Sequence, residues 1–483
     1  MNEGKIFKIL GLLSIFYSIT FLPPILVDLL YQETASATFF YTFFLIFTIG
    51  IVLWWPFKNH PTELKPADGF LIVTVFWIFS ALAGALPFIL NTPLHIHAVD
   101  AIFESVSGIT TTGSTVFINL DTLPHAFNYH RHQLSFIGGL GIVIFALAVL
   151  PVLGIGGFQL FRAETSGPIK NQKLTPKIKE TIQRLWFIYV GITFTIFLLF
   201  KLAGMSWFDA LNHSFSAVST GGFSTHDSNL GFYKDQLPVL WVACLGMFLG
   251  TLNFYLHYQV LIARNLKHYW QDTECRTFIL LMFCSIFLVW GGLKLDTIAH
   301  VDTLTHSALQ VVSFMTTTGF SSDNYSLWPG AIPIFLFLLT AIGGCAGSTS
   351  GGLKMIRWIL IQKQGLREIH RLIHPRATFP IKLQEKVVSE TVMRSVFSFL
   401  GVYMAVFVVF LLILLHFEKG DLLTAYSTLI SCLSNSGPGL GKAAADFHTL
   451  TEGSKWTLCA AMIIGRLEIF TVLVLLSPLY WKK

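Results

Sequence analysis

Charge is scarce in this chain: Asp, Glu, Lys and Arg make up 12% of its 483 residues, about half the share usual in soluble globular proteins. Hydrophobic residues make up 53% and aromatic residues 14%, more apolar side chain than a soluble interior could hide. A water-soluble enzyme is excluded. Cysteine is sparse and unpatterned, with Cys244, Cys275, Cys284, Cys345, Cys432 and Cys459 standing singly and no CxxC spacing. They point to neither redox chemistry nor a metal site. The net charge of +6 comes without a basic arm interleaved with aromatics, so no nucleic acid partner is expected. A cleavable leader is not expected either. Lys5 and Lys8 precede an apolar run and Ala35-Ser36-Ala37 resembles a cleavage site, but the run from Ile9 to Tyr31 is too long for a signal peptide. It is expected to be a first transmembrane helix, bent at Pro23-Pro24.

What is present is a series of long apolar stretches. Those long enough for about 30 Å of hydrocarbon lie near 9–31, 38–57, 69–90, 133–157, 181–204, 237–262, 276–293, 330–363, 391–415 and 456–480. Ten spans put both termini on one side, and the basic residues concentrate there, which marks that side as cytoplasmic. The inner loops carry Arg162, Lys170, Lys173, Lys177 and Lys179, then Lys363, Arg367, Arg371, Arg376, Lys382 and Lys386. Topology alone explains them, or an acidic cytosolic partner docks on them.

Four outer segments share one layout: a short amphipathic stretch, a turn of small residues, then an apolar span. The turns read Ile109-Thr110-Thr111-Thr112-Gly113-Ser114, Ser219-Thr220-Gly221-Gly222-Phe223-Ser224, Thr316-Thr317-Thr318-Gly319-Phe320-Ser321 and Ser434-Asn435-Ser436-Gly437-Pro438-Gly439. The stretches before them, 99–107, 207–218, 301–315 and 422–433, are too short to cross a bilayer. Each carries an acidic residue near its start, Asp100, Asp209, Asp302 and Asp421, where a helix dipole favours negative charge. The chain divides into an N-terminal helix pair (1–68) and four helix–loop–helix repeats, 69–165, 166–270, 271–370 and 371–483. The expected fold is an all-α integral membrane protein: ten transmembrane helices with four re-entrant pore loops in pseudo-fourfold repeats.

Irregular backbone at membrane depth is tolerated only where its carbonyls line a water- or ion-filled cavity. Four such turns about one axis would make a ring of carbonyl oxygens that replaces the hydration shell of a monovalent cation. One TTTG string alone reads as an ordinary helix cap; four in matching contexts read as a cation-selective pore.

The four turns, the string Gly343-Gly344-Cys345-Ala346-Gly347-Ser348-Thr349-Ser350-Gly351-Gly352 and the ending Gly465-Arg466-Leu467-Glu468 together resemble the Trk/Ktr/HKT superfamily over essentially the whole chain, most closely bacterial Trk potassium-uptake membrane subunits of the TrkH/TrkG type. The resemblance implies a potassium-translocating protein of the bacterial inner membrane. In it the four repeats play the parts of four channel subunits, with K+ as the transported ion and no organic cofactor. It implies a homodimer and a cytosolic nucleotide-binding regulatory subunit of TrkA type. It assigns filter carbonyls to Thr111, Thr112 and Gly113; Thr220, Gly221 and Gly222; Thr317, Thr318 and Gly319; and Asn435, Ser436 and Gly437. None of the four turns carries the full TVGYG string of potassium channels.

Two further features follow from the residues. The small-residue string interrupts the span from Ala331 to Ile361, so that helix must break near mid-membrane. Gly343, Gly344, Gly347, Ser348, Thr349, Gly351 and Gly352 then form a gate under the filter, or else a surface for close helix packing. Arg466 lies inside the last span, where a charge costs roughly 2.5–3.5 kcal/mol on insertion scales. It is either an electrostatic barrier to cations or half of an ion pair with Glu468, although residues two apart share no helix face. Three weaker patterns carry no function. His95, His97, His125, His130 and His132 read as solvated histidines of the first outer loop. Ser224-Thr225-His226-Asp227 names the members of a hydrolase triad but in adjacent positions. Gly437-Pro438-Gly439-Leu440-Gly441-Lys442 has the wrong spacing for a phosphate loop, with Ala443 where Ser or Thr is needed.

Passive uptake through the filter is the leading reading. A proton- or sodium-coupled potassium symporter, or a non-transporting receptor or assembly subunit, are its alternatives.

Overall fold

The computed structural model describes residues 3–60, 66–91, 96–139, 141, 178–295, 303–383 and 386–482. Among them, six helical segments are long and apolar enough to cross a membrane: Glu3–Tyr31, Ser36–Phe57, Asp68–Leu90, Gln183–Leu202, Thr273–Leu295 and Glu390–Phe417. The number rises to eight when Leu237–Thr251 with Phe254–Ala263, and Glu452–Arg466 with Phe470–Leu476, each count as one bent span. The stretch expected near 330–363 is two helices, Ile332–Ile342 and Met355–Ile373. The one expected near 133–157 begins earlier, at His125, and is described as far as Gly139. Its remainder, the repeat boundary at 165/166, Asp302, His95 and the bases Arg162, Lys170, Lys173 and Lys177 lie outside the described residues.

The first helix changes character just before its prolines. A 3-10 turn, Ile19–Phe21, joins Glu3–Ser18 to Leu22–Tyr31, and the prolines fall in the first turn of the second segment. There a missing N–H costs least. Glu3–Ser18 packs against Ser36–Trp54 through Gly11 and Gly50: a Cβ on Gly11 would strike the Trp54 amide and the Gly50 carbonyl. Small residues let membrane helices approach this closely.

The four short helices are Ala98–Ile109, Trp207–Val218, Thr303–Met315 and Leu422–Leu433. The second and fourth are capped at their starts by polar side chains. Ser206 Oγ accepts the Asp209 amide at 2.9 Å, and Asp421 is itself the N-cap of the fourth, accepting the Thr424 amide at 3.1 Å. Each cap satisfies a donor that the first helical turn leaves open. Buried apolar side chains form two clusters. One joins side chains between Ile6 and Leu134 to those between Phe399 and Ile469, and the other gathers those between Leu185 and Val396 with Ile430 and Leu440. Glu390–Phe417, only 17% buried along its most apolar stretch, faces outward, whereas Asp68–Leu90 is 61% buried.

Candidate functional site

Each short helix ends in the same way. After Ala98–Ile109, the amides of Thr110, Thr111 and Thr112 bond back to the carbonyls of Val106, Gly108 and Ser107. Ser219, Thr220 and Gly221 do so to Phe215, Ala217 and Ser216; Thr316, Thr317 and Thr318 to Val312, Phe314 and Ser313; Ser434, Asn435 and Ser436 to Ile430, Cys432 and Ser431. This is a helix C-cap closed by a residue in the left-handed region, and Thr111, Thr220, Thr317 and Asn435 occupy it with φ of 54°, 53°, 55° and 53°. A β-branched threonine there is a true outlier, costing roughly 1–3 kcal/mol, of the kind that persists at functional sites. Two residues on, Gly113, Gly222, Gly319 and Gly437 also have positive φ, from 69° to 97°.

The turns N–H groups are thus directed inward to their own helices, and their carbonyls are turned the other way. Among the described residues, no hydrogen bond reaches the carbonyl oxygens of Thr111, Thr112, Gly113, Thr220, Gly221, Thr317, Thr318, Gly319, Asn435 or Ser436.

The four turns meet. A Cβ on Gly113 would strike the Gly221 carbonyl, one on Gly222 the Thr318 carbonyl, one on Gly319 the Ser436 carbonyl, and one on Gly437 the Thr112 carbonyl, all closer than the 3.0 Å that real Cβ atoms keep. The sequence of contacts returns to its starting point. The four loops therefore form one closed ring in chain order, every glycine resting against its neighbour's backbone, which is why no side chain fits at those positions. Every short helix also points its carboxyl end, with its partial negative charge, at this ring.

The segments leaving the ring are tied to the short helices. Glu104 accepts from Thr115 Oγ1 at 2.9 Å and from the Val116 amide at 2.9 Å. His213 Nε2 lies 3.1 Å from Ser224 Oγ, and Gln310 Nε2 lies 3.4 Å from Ser321 Oγ. In the fourth repeat Ser427 Oγ accepts the Leu440 amide at 2.9 Å. Asn435, the residue that sets the fourth turn apart, donates to Thr112 Oγ1 at 3.0 Å and to the Met462 carbonyl at 2.9 Å.

The string 343–352 lies directly against the ring. The Gly351 amide donates to Thr317 Oγ1 at 2.7 Å, Thr220 Oγ1 is 3.3 Å from Thr349 Oγ1, and a Cβ on Gly351 would strike the Ser434 carbonyl. Thr349 Oγ1 also reaches the Val218 and Gly250 carbonyls, at 3.0 and 2.9 Å. Gly343, Gly347 and Gly352 take positive φ. A Cβ on Gly344 would strike Ser350 and Thr251, and Ser348 Oγ donates to the Cys345 carbonyl at 2.6 Å. Arg466 donates to the Thr349 carbonyl at 2.7 Å and to the Gly139 carbonyl at 2.9 Å, with Gly138 as a further acceptor. It thereby joins the third repeat's loop to the carboxyl end of the first repeat's helix, where positive charge is favoured. Glu468 instead pairs with Arg357, whose guanidinium lies 3.9 Å from the Phe399 ring.

Sequence reasoning missed several residues here. Glu274 Oε1 accepts the amides of Ala346 at 2.8 Å and Ile356 at 3.0 Å, tying the small-residue string to the start of the helix that follows it. Helices of the second and fourth repeats also break, by 96° after Thr251 and by 111° after Arg466. The sequence reads as continuous apolar spans at both places. The signals were faint: Asn253, an N-cap whose side chain accepts the Tyr255 amide, and Glu468, with φ of 50°.

The other candidates resolve otherwise. His130 and His132 are not solvated. Both are buried in the helix from His125 to Gly139, against the Gly84 carbonyl at 2.9 Å and the Asn128 carbonyl at 2.7 Å. His226 is engaged by Asp121 at 2.5 Å and lies 3.7 Å from Asp209, while Ser224 Oγ faces His213. Lys442 reaches Glu418 at 3.4 Å. Among the described residues no group of three or more His, Cys, Asp or Glu could hold a metal ion.

Comparison with known proteins identifies the family. The profile of the TrkH family, described as cation transport protein, matches residues 35–483. The Trk system potassium uptake proteins TrkH of Salmonella typhimurium and Escherichia coli are 43% and 42% identical to the chain, each comparison spanning the whole of both proteins. The Escherichia coli Trk system potassium uptake protein TrkG is 40% identical over 98% of this chain and 97% of its own. The crystal structure of the potassium transporter TrkH from Vibrio parahaemolyticus superposes over all of both chains with a TM-score of 0.90 at 40% identity. The chain belongs to the TrkH family, transport proteins rather than enzymes.

Proposed function

We propose that this protein takes up potassium across a bacterial inner membrane, through a filter made by the four matched loops. The single observation that carries the reading is the closed ring, in which carbonyl groups with no donor among the described residues converge between four helix carboxyl ends. Such a ring favours a dehydrated monovalent cation and disfavours anions. The names of the relatives, potassium uptake proteins over the full length, support the choice of ion. In this reading ten helices cross the membrane, both termini are cytoplasmic, and repeats begin near 69, 166, 271 and 371. The membrane potential contributes about 2.3 kcal/mol per charge per 100 mV, so inward movement needs no other coupling.

The string 343–352 acts as the gate and Arg466 as its latch and as a positive barrier. Their support is position, since the string bonds to the ring's own threonines. A cytosolic nucleotide-binding subunit of TrkA type, docked on the basic inner face, moves this gate, and two copies of the chain assemble side by side.

Rubidium flux into proteoliposomes, with potassium or sodium as competitor, tests the proposal. Wild-type protein is expected to pass rubidium in competition with potassium, and Gly113→Ser or Gly319→Ser to abolish it. Undiminished flux in both variants would remove the filter. Flux that needs a proton or sodium gradient would favour the coupled symporter instead.

A further inference from the structure

Glu104 and Arg131 form an ion pair at 2.7 Å with side chains 0% and 1% exposed, beside the ring and outside the parts assigned above. Glu104 sits two turns before Thr111 on the first short helix. Its carboxylate takes the Thr115 hydroxyl, at 2.9 and 3.1 Å, and the Val116 amide as well as Arg131 Nε. The other nitrogens of Arg131 donate to Asn128 Oδ1 at 3.1 Å, Thr115 Oγ1 at 3.2 Å and the Ser224 carbonyl at 3.2 Å. Its guanidinium lies 4.4 Å from the Phe223 ring centre. Thr115 is two residues past Gly113 and Ser224 two past Gly222, so one planar group holds two adjacent loops where they leave the ring.

We propose that this pair is a clamp that fixes the spacing of the first and second filter loops and so helps decide which monovalent cation the ring accepts. The inference rests on the filter reading above. A buried ion pair is weak evidence for stability, because apolar residues of like volume often serve a core as well. The geometry points to alignment instead: a guanidinium is a rigid fork with donors in fixed directions, and here those directions reach two loops and the carboxylate that holds one of them. The ties in the second and third repeats are made by separate neutral or singly charged contacts, His213 to Ser224 and Thr225 to Asp209 in one, Gln310 to Ser321 and His306 to Ser322 in the other, with the Asn229 side chain linking the two loops at 3.5 and 3.3 Å. The pair is neutral as a unit, so it places a cationic anchor beside a cation pathway without adding net charge. Ion discrimination in such a ring depends on where its oxygens stand, and Glu104 and Arg131 are positioning residues for them.

Full-length protein in proteoliposomes tests this, with rubidium uptake measured against potassium and sodium competition and thermal melting measured alongside. Arg131→Lys keeps the charge and loses the fork. Thr115→Val removes only the hydroxyl shared by both partners. Glu104→Gln combined with Arg131→Gln removes both charges and strands neither. Each is expected to lower the preference for potassium over sodium roughly tenfold, equivalent to about 1.4 kcal/mol, with a smaller fall in maximal flux. Thr115→Val, which keeps both charges paired, is expected to melt lower than wild type but to fold, and carries the test if the charge variants do not. A wild-type preference in Thr115→Val, or in any other variant that still transports, overturns the clamp whether or not that variant melts lower, since the pair would then serve folding alone. Gly113→Ser and Gly319→Ser run in parallel separate the two proposals: undiminished flux in both sinks the filter, whereas loss there with unchanged preference in the clamp variants sinks the clamp alone.

Discussion

The ring and the level that touches it are built on opposite plans. At the ring, four segments of unlike sequence adopt one backbone, with the same three back-bonds and the same two positive-φ positions. One layer away, the described helices break in three different ways: a 96° bend at Leu252-Asn253, the string from Gly343, and a 111° bend after Arg466. A helix cap is a local device, so four copies give symmetry wherever the cap sequence recurs. The breaks are held by long-range partners, Glu274 for one and Arg466 for another, and these belong to single repeats. The lesson is that equality is kept where an ion would be held and given up where passage would be controlled.

The comparison can be broken most severely at the ring itself. Gly222→Ala places a methyl group against the Thr318 carbonyl at a φ of 69°. Rubidium flux in proteoliposomes is expected to fall by roughly a hundredfold, the scale of a misplaced binding group. Gly291→Ala, a glycine with nothing within 4 Å of its added methyl, is expected to leave flux unchanged. Equal flux in the two variants would mean that the ring tolerates what the four contacts forbid.

A smaller effect is expected below the ring, and of opposite sign. Arg466→Ala removes the bonds to Thr349, Gly138 and Gly139 together with a fixed positive charge. Flux without any regulatory partner is expected to rise roughly tenfold, the factor for about 1.4 kcal/mol of barrier. Unchanged or lower flux in folded protein would return Arg466 to a purely structural role.

The smallest effect concerns pH and lies away from both levels. Burial pulls the His226 pKa down, but hydrogen bonds to Asp209 and Asp121 outweigh it and hold the imidazole above its ordinary value. A raised folded-state pKa stabilises the protein fully below the unfolded value of about 6.5, and that contribution is lost as pH rises through the folded value. Melting of purified protein between about pH 6 and about pH 8 is therefore expected to fall more in wild type than in His226→Gln. Parallel curves would show that this outer cluster does not contribute.

How much of this was legible in the sequence depended on whether the cause was local. The four short helices and their glycines were, because a turn closed at positive φ marks its own sequence. The broken third-repeat helix was, because ten nearly continuous small residues cannot continue an apolar span unnoticed. Arg131 was not. It sits among His125, His130 and His132, and a hydropathy count takes such a string for solvated loop, since it cannot distinguish water from a buried carboxylate and backbone carbonyls. The bends after Thr251 and Arg466 escaped for a related reason. Neither carries proline, and their partners, the Gly347 carbonyl that accepts the Phe254 amide and the Gly138 and Gly139 carbonyls, are far away in the chain.

The circular contact of glycine on carbonyl has a mechanical consequence. Like stones in an arch, the four backbones lean on one another in turn, so a shift of any one loop presses on the next and the ring answers as a unit.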